Sequence, residues 1–155
     1  MSDKILSRMI IEIMGRPPEH IKEALNTLVV RMVSEKGVKI KDKNYHKPKK
    51  IKDADNLYTA FAELEIEFDD LISFFRIILG YLPSHVEIIY PEKFKMSGYE
   101  INELSNYIIE KLHKYDALAK RLLAERNILM NQIKGKGQTP AVKNFEKEQT
   151  QTKSK

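Results

Sequence analysis

The residues whose type and spacing could do chemistry are lysines. Lys36, Lys39, Lys41, Lys43, Lys47, Lys49, Lys50 and Lys52 crowd residues 36–52 against one acid, Asp42, so this segment carries +7 within a chain whose formal charge is +5. The remainder is therefore slightly acidic. Ammonium groups on flexible stems attract phosphate as point charges, and without interleaved arginine or aromatic residues they cannot read base edges. Seven of them, Lys39, Lys41, Lys43, Lys47, Lys49, Lys50 and Lys52, are the candidate contacts to nucleic acid or ribosome, with Lys136, Lys143, Lys147, Lys153 and Lys155 near the C-terminus as a second source of charge. Such contact would be blind to sequence. The competing reading is edge protection, because lysines discourage other chains from adding a strand.

Other chemistry finds no constellation. His20, His46, His85 and His113 are scattered, and none forms a ligand pair one helical turn apart or a group with a nearby acid and serine. His113 and Asp116 share a helix face, which reads first as a surface pair. Gly15 and Arg16 precede a helix start, but Pro17 and Pro18 lack the N–H donors a phosphate would use. No cysteine is present, which removes disulfides, thiolate metal sites and a thiol nucleophile. The expectation is a protein that is not an enzyme, with no catalytic, cofactor or metal residue to name.

These residues sit on a recognisable series of elements. Residues 9–14 form a β-branched run closed by Gly15, and from Pro17 the period changes to that of a helix with Ile21, Leu25, Leu28 and Met32 on one face and Gly37 as its stop. Residues 38–43 alternate apolar residues with lysine, as a strand does, and residues 45–55 read as a solvated, mobile connection around Pro48. Ala60, Ala62, Leu64, Ile66 and Phe68 then alternate with Phe61, Glu63, Glu65 and Glu67 in the clearest strand of the chain. Asp69 and Asp70 stand where a helix N-terminus favours negative charge, and residues 71–82 are apolar except along Ser73, Arg76 and Gly80. A helix that apolar needs cover beyond one sheet. Residues 86–90 give a short strand ended by Pro91, and residues 100–133 a long helix ended by Gly135.

The order β-α-β-β-α-β followed by a helix predicts an α+β fold of the ferredoxin-like, split β-α-β kind, with the first and third strands central and the second and fourth at the edges. It divides into a domain over residues 1–98, a long helix over 99–134 and a disordered basic tail over 135–155. On the sheet face away from the helices, Glu12, Glu63, Glu65, Glu67 and Glu87 should line the surface and read first as pairing across strands with Lys39, Lys41 and Lys43 of the neighbouring edge strand, the competing reading being a cation site or an acidic docking surface for a basic partner. Phe61 is the one exposed aromatic expected there, too few for base stacking of the kind RNA-recognition sheets use.

The run from Phe61, FAELEIEFDDLISFFRIILGYLPSHVEIIYPEKFK, with the helix that follows to Tyr115, resembles the C-terminal extension domain of bacterial WYL-type transcriptional regulators. The likeness lies in the acidic alternating strand, the apolar helix, the strand VEIIYPE and a terminal helix near a tyrosine. It implies a ligand-sensing or oligomerising regulatory module of ACT-like architecture, and it carries over no site residue.

The long helix points the same way. Ile101, Ile108, Tyr115, Leu122 and Leu129 repeat every seven residues, with Leu104 and Leu118 as part of a companion seam that Lys111, Glu125 and Gln132 interrupt. Leu104, Ile108, Leu112 and Tyr115 should pack on their own domain, whereas Leu122, Leu129 and Ile133 have nothing left to cover and should face a second copy or another protein. No stretch of ~18 apolar residues and no signal layout occurs, so a cytoplasmic protein with no membrane partner is expected. The function this supports is a non-catalytic interaction or regulatory module that self-associates or docks on a protein partner. The alternative is a nucleic-acid or ribosome-associated accessory protein.

Overall fold

The structure, a computed structural model, describes residues 4–136. The chain divides into two units at Leu112/His113, within its last helix.

In the first unit, β1 (Ile5–Gly15) buries alternate residues Ile5, Ser7, Met9 and Ile11, as a pleated strand with one covered face must. Helix α1 (Pro18–Val33) starts after Pro17, with a proline at the first helical positions where a missing N–H costs nothing. Its buried face is Ile21, Leu25, Val29 and Met32. Leu28, expected in that stripe, packs at the margin of the core, and Val29 takes the fully buried position between Leu25 and Met32. The helix ends before Gly37, where Ser34 Oγ donates to the Arg31 carbonyl at 2.7 Å. Gly37 serves a different purpose: its φ is +78°, and a Cβ there would lie 2.5 Å from Ser73 Oγ. Ser73 is consequently buried rather than part of an exposed polar stripe.

Strand β2 (Val38–Tyr45) pairs antiparallel with β4 (Tyr58–Phe68), and β1 pairs antiparallel along the whole opposite side of β4, from Ile5↔Phe68 to Gly15↔Tyr58. The segment between β2 and β4 is not simply a solvated connection. It contains β3 (Lys49–Lys50), which pairs with Thr59 and Tyr58 of β4. With β1 occupying the other side, β3 must lie on the β2 side, and backbone bonds from His46 N to the Phe61 carbonyl (3.0 Å) and from Ile51 N to the Leu57 carbonyl (2.8 Å) join the two pieces. β2 and β3 are thus one edge interrupted at Lys47 and Pro48.

Helix α2 (Leu71–Tyr81) is capped by Asp70, whose carboxylate accepts from Ser73 N at 2.7 Å, and it ends at Leu82 in the left-handed region (φ 48°). Phe74 and Ile77 are buried beneath it while Leu71, Phe75 and Ile78 are half-covered. Strand β5 (His85–Tyr90) pairs antiparallel with β1. The sheet order is β2-β4-β1-β5 with β3 added on β4, so the fold is α+β around a five-stranded antiparallel sheet. One apolar core, from Met9 and Ile11 to Leu64, Phe68 and Ile77, joins the sheet to α1 and α2.

Helix α3 (Gly98–Lys136) closes the described chain. It begins earlier than its apolar period implies, because Ser97 and Glu100 cap each other: Ser97 N and Oγ donate to the Glu100 carboxylate at 2.7 and 2.8 Å, and Glu100 N donates to Ser97 Oγ at 3.2 Å. Gly135, expected as its stop, lies inside it. In the first unit its partly buried residues are Glu100, Leu104, Tyr107, Ile108 and Lys111, and Leu112, expected to pack, is 54% exposed. A face spaced three and four residues apart that starts at Leu104 turns Leu112 away. In the second unit the helix His113–Lys136 is exposed along its length, with ion pairs from Lys120 to Asp116 (2.6 Å) and Arg121 to Glu125 (2.9 Å) one turn apart. The disordered tail expected over residues 135–155 falls, from residue 137 onward, outside the described residues.

Candidate functional site

The lysine edge takes its geometry from a β-bulge. Ile40 stands opposite Ile66 and Asp42 opposite Glu65, so Lys41 is an extra residue with no partner across the ladder. The bulge reverses the phase of everything after it. Lys39, opposite Glu67, belongs to the open face, whereas Lys43 stands opposite the core residue Leu64 and Asp42 replaces it on the open face.

That shift decides which glutamates find lysines. Lys41 Nζ lies 3.0 Å from Glu67, which also accepts from Lys4 at 2.8 Å. Hydrogen bonds from Lys4 and then Lys41 hold the Glu67 carboxyl pKa down at about 2, and the bond to Glu67 in turn raises that of the Lys4 ammonium. The expected pairing of Lys39 and Lys43 with the sheet glutamates does not occur among the described residues. Arg8 instead reaches Glu87 at 3.4 Å and Glu65 at 4.0 Å, His46 Nε2 lies 3.5 Å from Glu63, and Thr59 Oγ1 donates to Glu12 at 2.6 Å. The five glutamates are each partnered, and the open face is a mixed surface rather than an acidic one.

Apart from Lys36, which precedes β2, the remaining lysines of the segment, Lys39, Lys43, Lys47, Lys49, Lys50 and Lys52, are exposed and form no ion pair among the described residues. The structure brings them together along the β2–β3 edge and its turn. Beside them His46 lies flat on Phe61, centroids 4.2 Å apart and planes at 18°. Sequence reasoning missed that pair, although a histidine one residue past an alternating strand and a phenylalanine on the facing strand could have suggested it.

The cleft between the start of α2 and the start of α3, about 310 Å³, is lined by Leu71, Ile72, Phe94 and Leu104, with Asp70, Glu100 and Glu103 at its rim. Its carboxylates are committed to structure: Asp70 and Glu100 cap their helices, and Glu103 accepts from Tyr99 Oη at 2.8 Å. Asp116, considered with His113, bonds Lys120 instead. Among the described residues no three His, Asp or Glu side chains cluster so as to hold a metal ion, and no helix is long and apolar enough to cross a membrane. Tyr107 was also missed: its hydroxyl is buried without a protein partner among the described residues, and Lys111 Nζ sits 5.7 Å from its ring.

The predicted interface residues Leu122, Leu129 and Ile133 are 54%, 58% and 67% exposed. They share one face of α3, on which Leu112, Ala119, Arg126 and Ile133 form a second companion series beside the one that Lys111, Glu125 and Gln132 interrupt. The stripe is therefore more continuous than the seven-residue spacing alone implied, with Arg126 its one charged member.

Residues 7–141 match the MJ0538 family. The chain belongs to that family. A relative, the "Uncharacterized protein MJ0538" of Methanocaldococcus jannaschii, is 27% identical over 106 residues, which cover 67% of this chain and 39% of that protein. This MJ0538 family chain thus aligns with well under half of the curated relative's length. No solved structure matches it. The family match runs through the lysine edge, both packed helices and the described part of α3, so none of these candidate features lies outside it.

Proposed function

We propose that this MJ0538 family chain is a non-catalytic interaction or regulatory module of ferredoxin-like, ACT-like architecture that self-associates through α3. The architecture is supported by the strand order: with β3 counted as a continuation of the β2 edge, the central pair is the first and third strands and the edges are the second and fourth. This agrees with the module that the WYL-type resemblance implies.

The observation that carries the self-association is the exposed apolar face of α3, none of whose residues is buried. Leu122, Leu129 and Ile133 sit with Leu112, Tyr115, Ala119 and the charged Arg126 on one stripe, spaced alternately three and four residues apart as a two-helix seam requires. The ion pairs from Asp116 to Lys120 and from Arg121 to Glu125 strengthen the helix itself. Removing each leucine from water contributes about 1.5 to 3 kcal/mol. A second copy is the occupant that offers the same stripe in return.

Light scattering on the full chain tests this. The wild type should be dimeric or larger at ~100 μM, and Leu122→Glu with Leu129→Glu should make it monomeric with an unchanged circular dichroism spectrum. A monomeric wild type at that concentration would remove self-association from the reading.

A further inference from the structure

We propose that the β2–β3 edge is a binding surface for the phosphodiester backbone of nucleic acid, engaged without regard to sequence. The proposal stands apart from self-association and needs no second copy.

Six lysines on this edge are exposed and lack an ion pair among the described residues, within a segment of +7. Their arrangement is not that of a mobile loop. β2 and β3 run end to end along one side of β4, from Lys39 opposite Glu67 to Lys50 opposite Tyr58, so the lysines are strung on a rim about 30 Å long at the rise of a strand. Lys47, Lys49 and Lys50 follow one another at one or two residues, spacings within a screening length of ~8 Å, and can act on a polyanion jointly. The bulge at Lys41 adds to this: Lys39 and Lys43, on opposite phases, flank the edge from both sides of the sheet. The acids that would oppose an anion are largely answered already, Glu67 by Lys4 and Lys41, and Glu65 and Glu87 by Arg8.

Edge protection alone does not account for the pattern. Lysine is one of several ways to discourage strand addition, and the opposite edge, β5, reads His85, Val86, Glu87, Ile88, Ile89 and Tyr90 with no lysine at all. The lysines also continue where there is no ladder to guard, at Lys47 beside Pro48 and at Lys52 in the turn before β4. No arginine lies in the segment, and lysine as a point charge gives no bidentate recognition of a base. The predicted ligand is therefore the backbone common to all sequences.

The test is fluorescence anisotropy with full-length protein and a labelled single-stranded RNA of mixed sequence, a scrambled RNA and a DNA duplex. Binding to both RNAs should agree within about threefold, and affinity should fall steeply from 50 to 200 mM salt. Lys43, Lys47, Lys49 and Lys50→Gln should weaken binding at least tenfold and flatten the salt slope, with the melting temperature retained. A charge-matched control, Lys22, Lys93, Lys95 and Lys134→Gln, should retain affinity within about threefold. Equal loss in the control would show a general charge effect and overturn the site. So would strong preference between the RNAs, equally tight binding of polyglutamate, or no binding at ~100 μM protein in 50 mM salt.

Discussion

Helix α1 and the C-terminal half of α3 carry apolar residues at the same helical spacing, yet they end in opposite environments. Ile21, Leu25, Val29 and Met32 of α1 are at most 5% exposed, because β1 and β4 present Met9, Ile11, Ala62 and Leu64 beneath them. Leu122, Leu129 and Ile133 of α3 are more than half exposed. Periodicity fixes which face of a helix is apolar, but whether that face is filled by its own chain depends on how much sheet the fold supplies. Here α1 and α2 already share one face of the sheet.

Substitutions can break or sharpen this contrast. The largest effect is expected at Leu25: Leu25→Ala should destabilise the fold by about 2 to 5 kcal/mol, read from denaturant unfolding, because the cavity it leaves cannot fully collapse. Leu122→Ala, measured on monomeric protein, should change stability by less than about 0.5 kcal/mol. A monomer that loses more than ~1 kcal/mol at Leu122 would place that face inside the fold and break the comparison.

Next in size are the caps. Asp70→Ala should cost about 1 kcal/mol, since Ser73 N loses its acceptor at a packed helix, and thermal melting would record it. Ser97→Ala removes the equivalent cap from α3, and there the loss should appear in amide exchange of the first turn more than in the global melt. Similar global losses at both caps would mean that α3 is as integral to the core as α2.

The smallest effect concerns Glu67. Its carboxyl is held at about 2 from an ordinary 4.5, so its contribution to stability is present above the ordinary value and is lost as pH falls through the lowered one. Unfolding measured from pH 5 to 2 should show a modest decline that Glu67→Gln reduces. Because the pair is open to solvent the decline should also shrink in high salt.

Much of this was legible in the sequence, and the exceptions share a cause. The alternation in residues 58–68, the spacing from Ile21 to Met32 and the position of Asp70 each report local geometry, and local geometry is written in consecutive residues. The bulge at Lys41 is a two-against-one register between strands, which alternation in one strand cannot reveal. β3 has two residues, both lysine, and pairs through its backbone alone. Ser73 reads as exposed until Gly37 is brought against it. In the candidate site, the cluster of lysines was visible as composition, but their alignment on one edge, and the diversion of Glu65 and Glu87 to Arg8, needed the sheet order. The cap at Ser97 is written in the sequence as a serine three residues before a glutamate, ahead of the point where the apolar period starts.

The pairing of β1 with β4 has a consequence for how the chain reaches this structure. The two central strands are distant in sequence, with Lys4 reaching Glu67 across 63 residues, whereas β2, β3 and β4 are joined through a short turn at residues 52–56. The hairpin closes a small loop and the central pair a large one, and loop-closure entropy grows with the length enclosed. The lysine-bearing hairpin is therefore expected to assemble early, with β1 inserted between β4 and β5 as the step that limits the folding rate. Substitutions at Met9 or Ile11 should slow folding, and those in α3 beyond Leu112 should leave the rate unchanged.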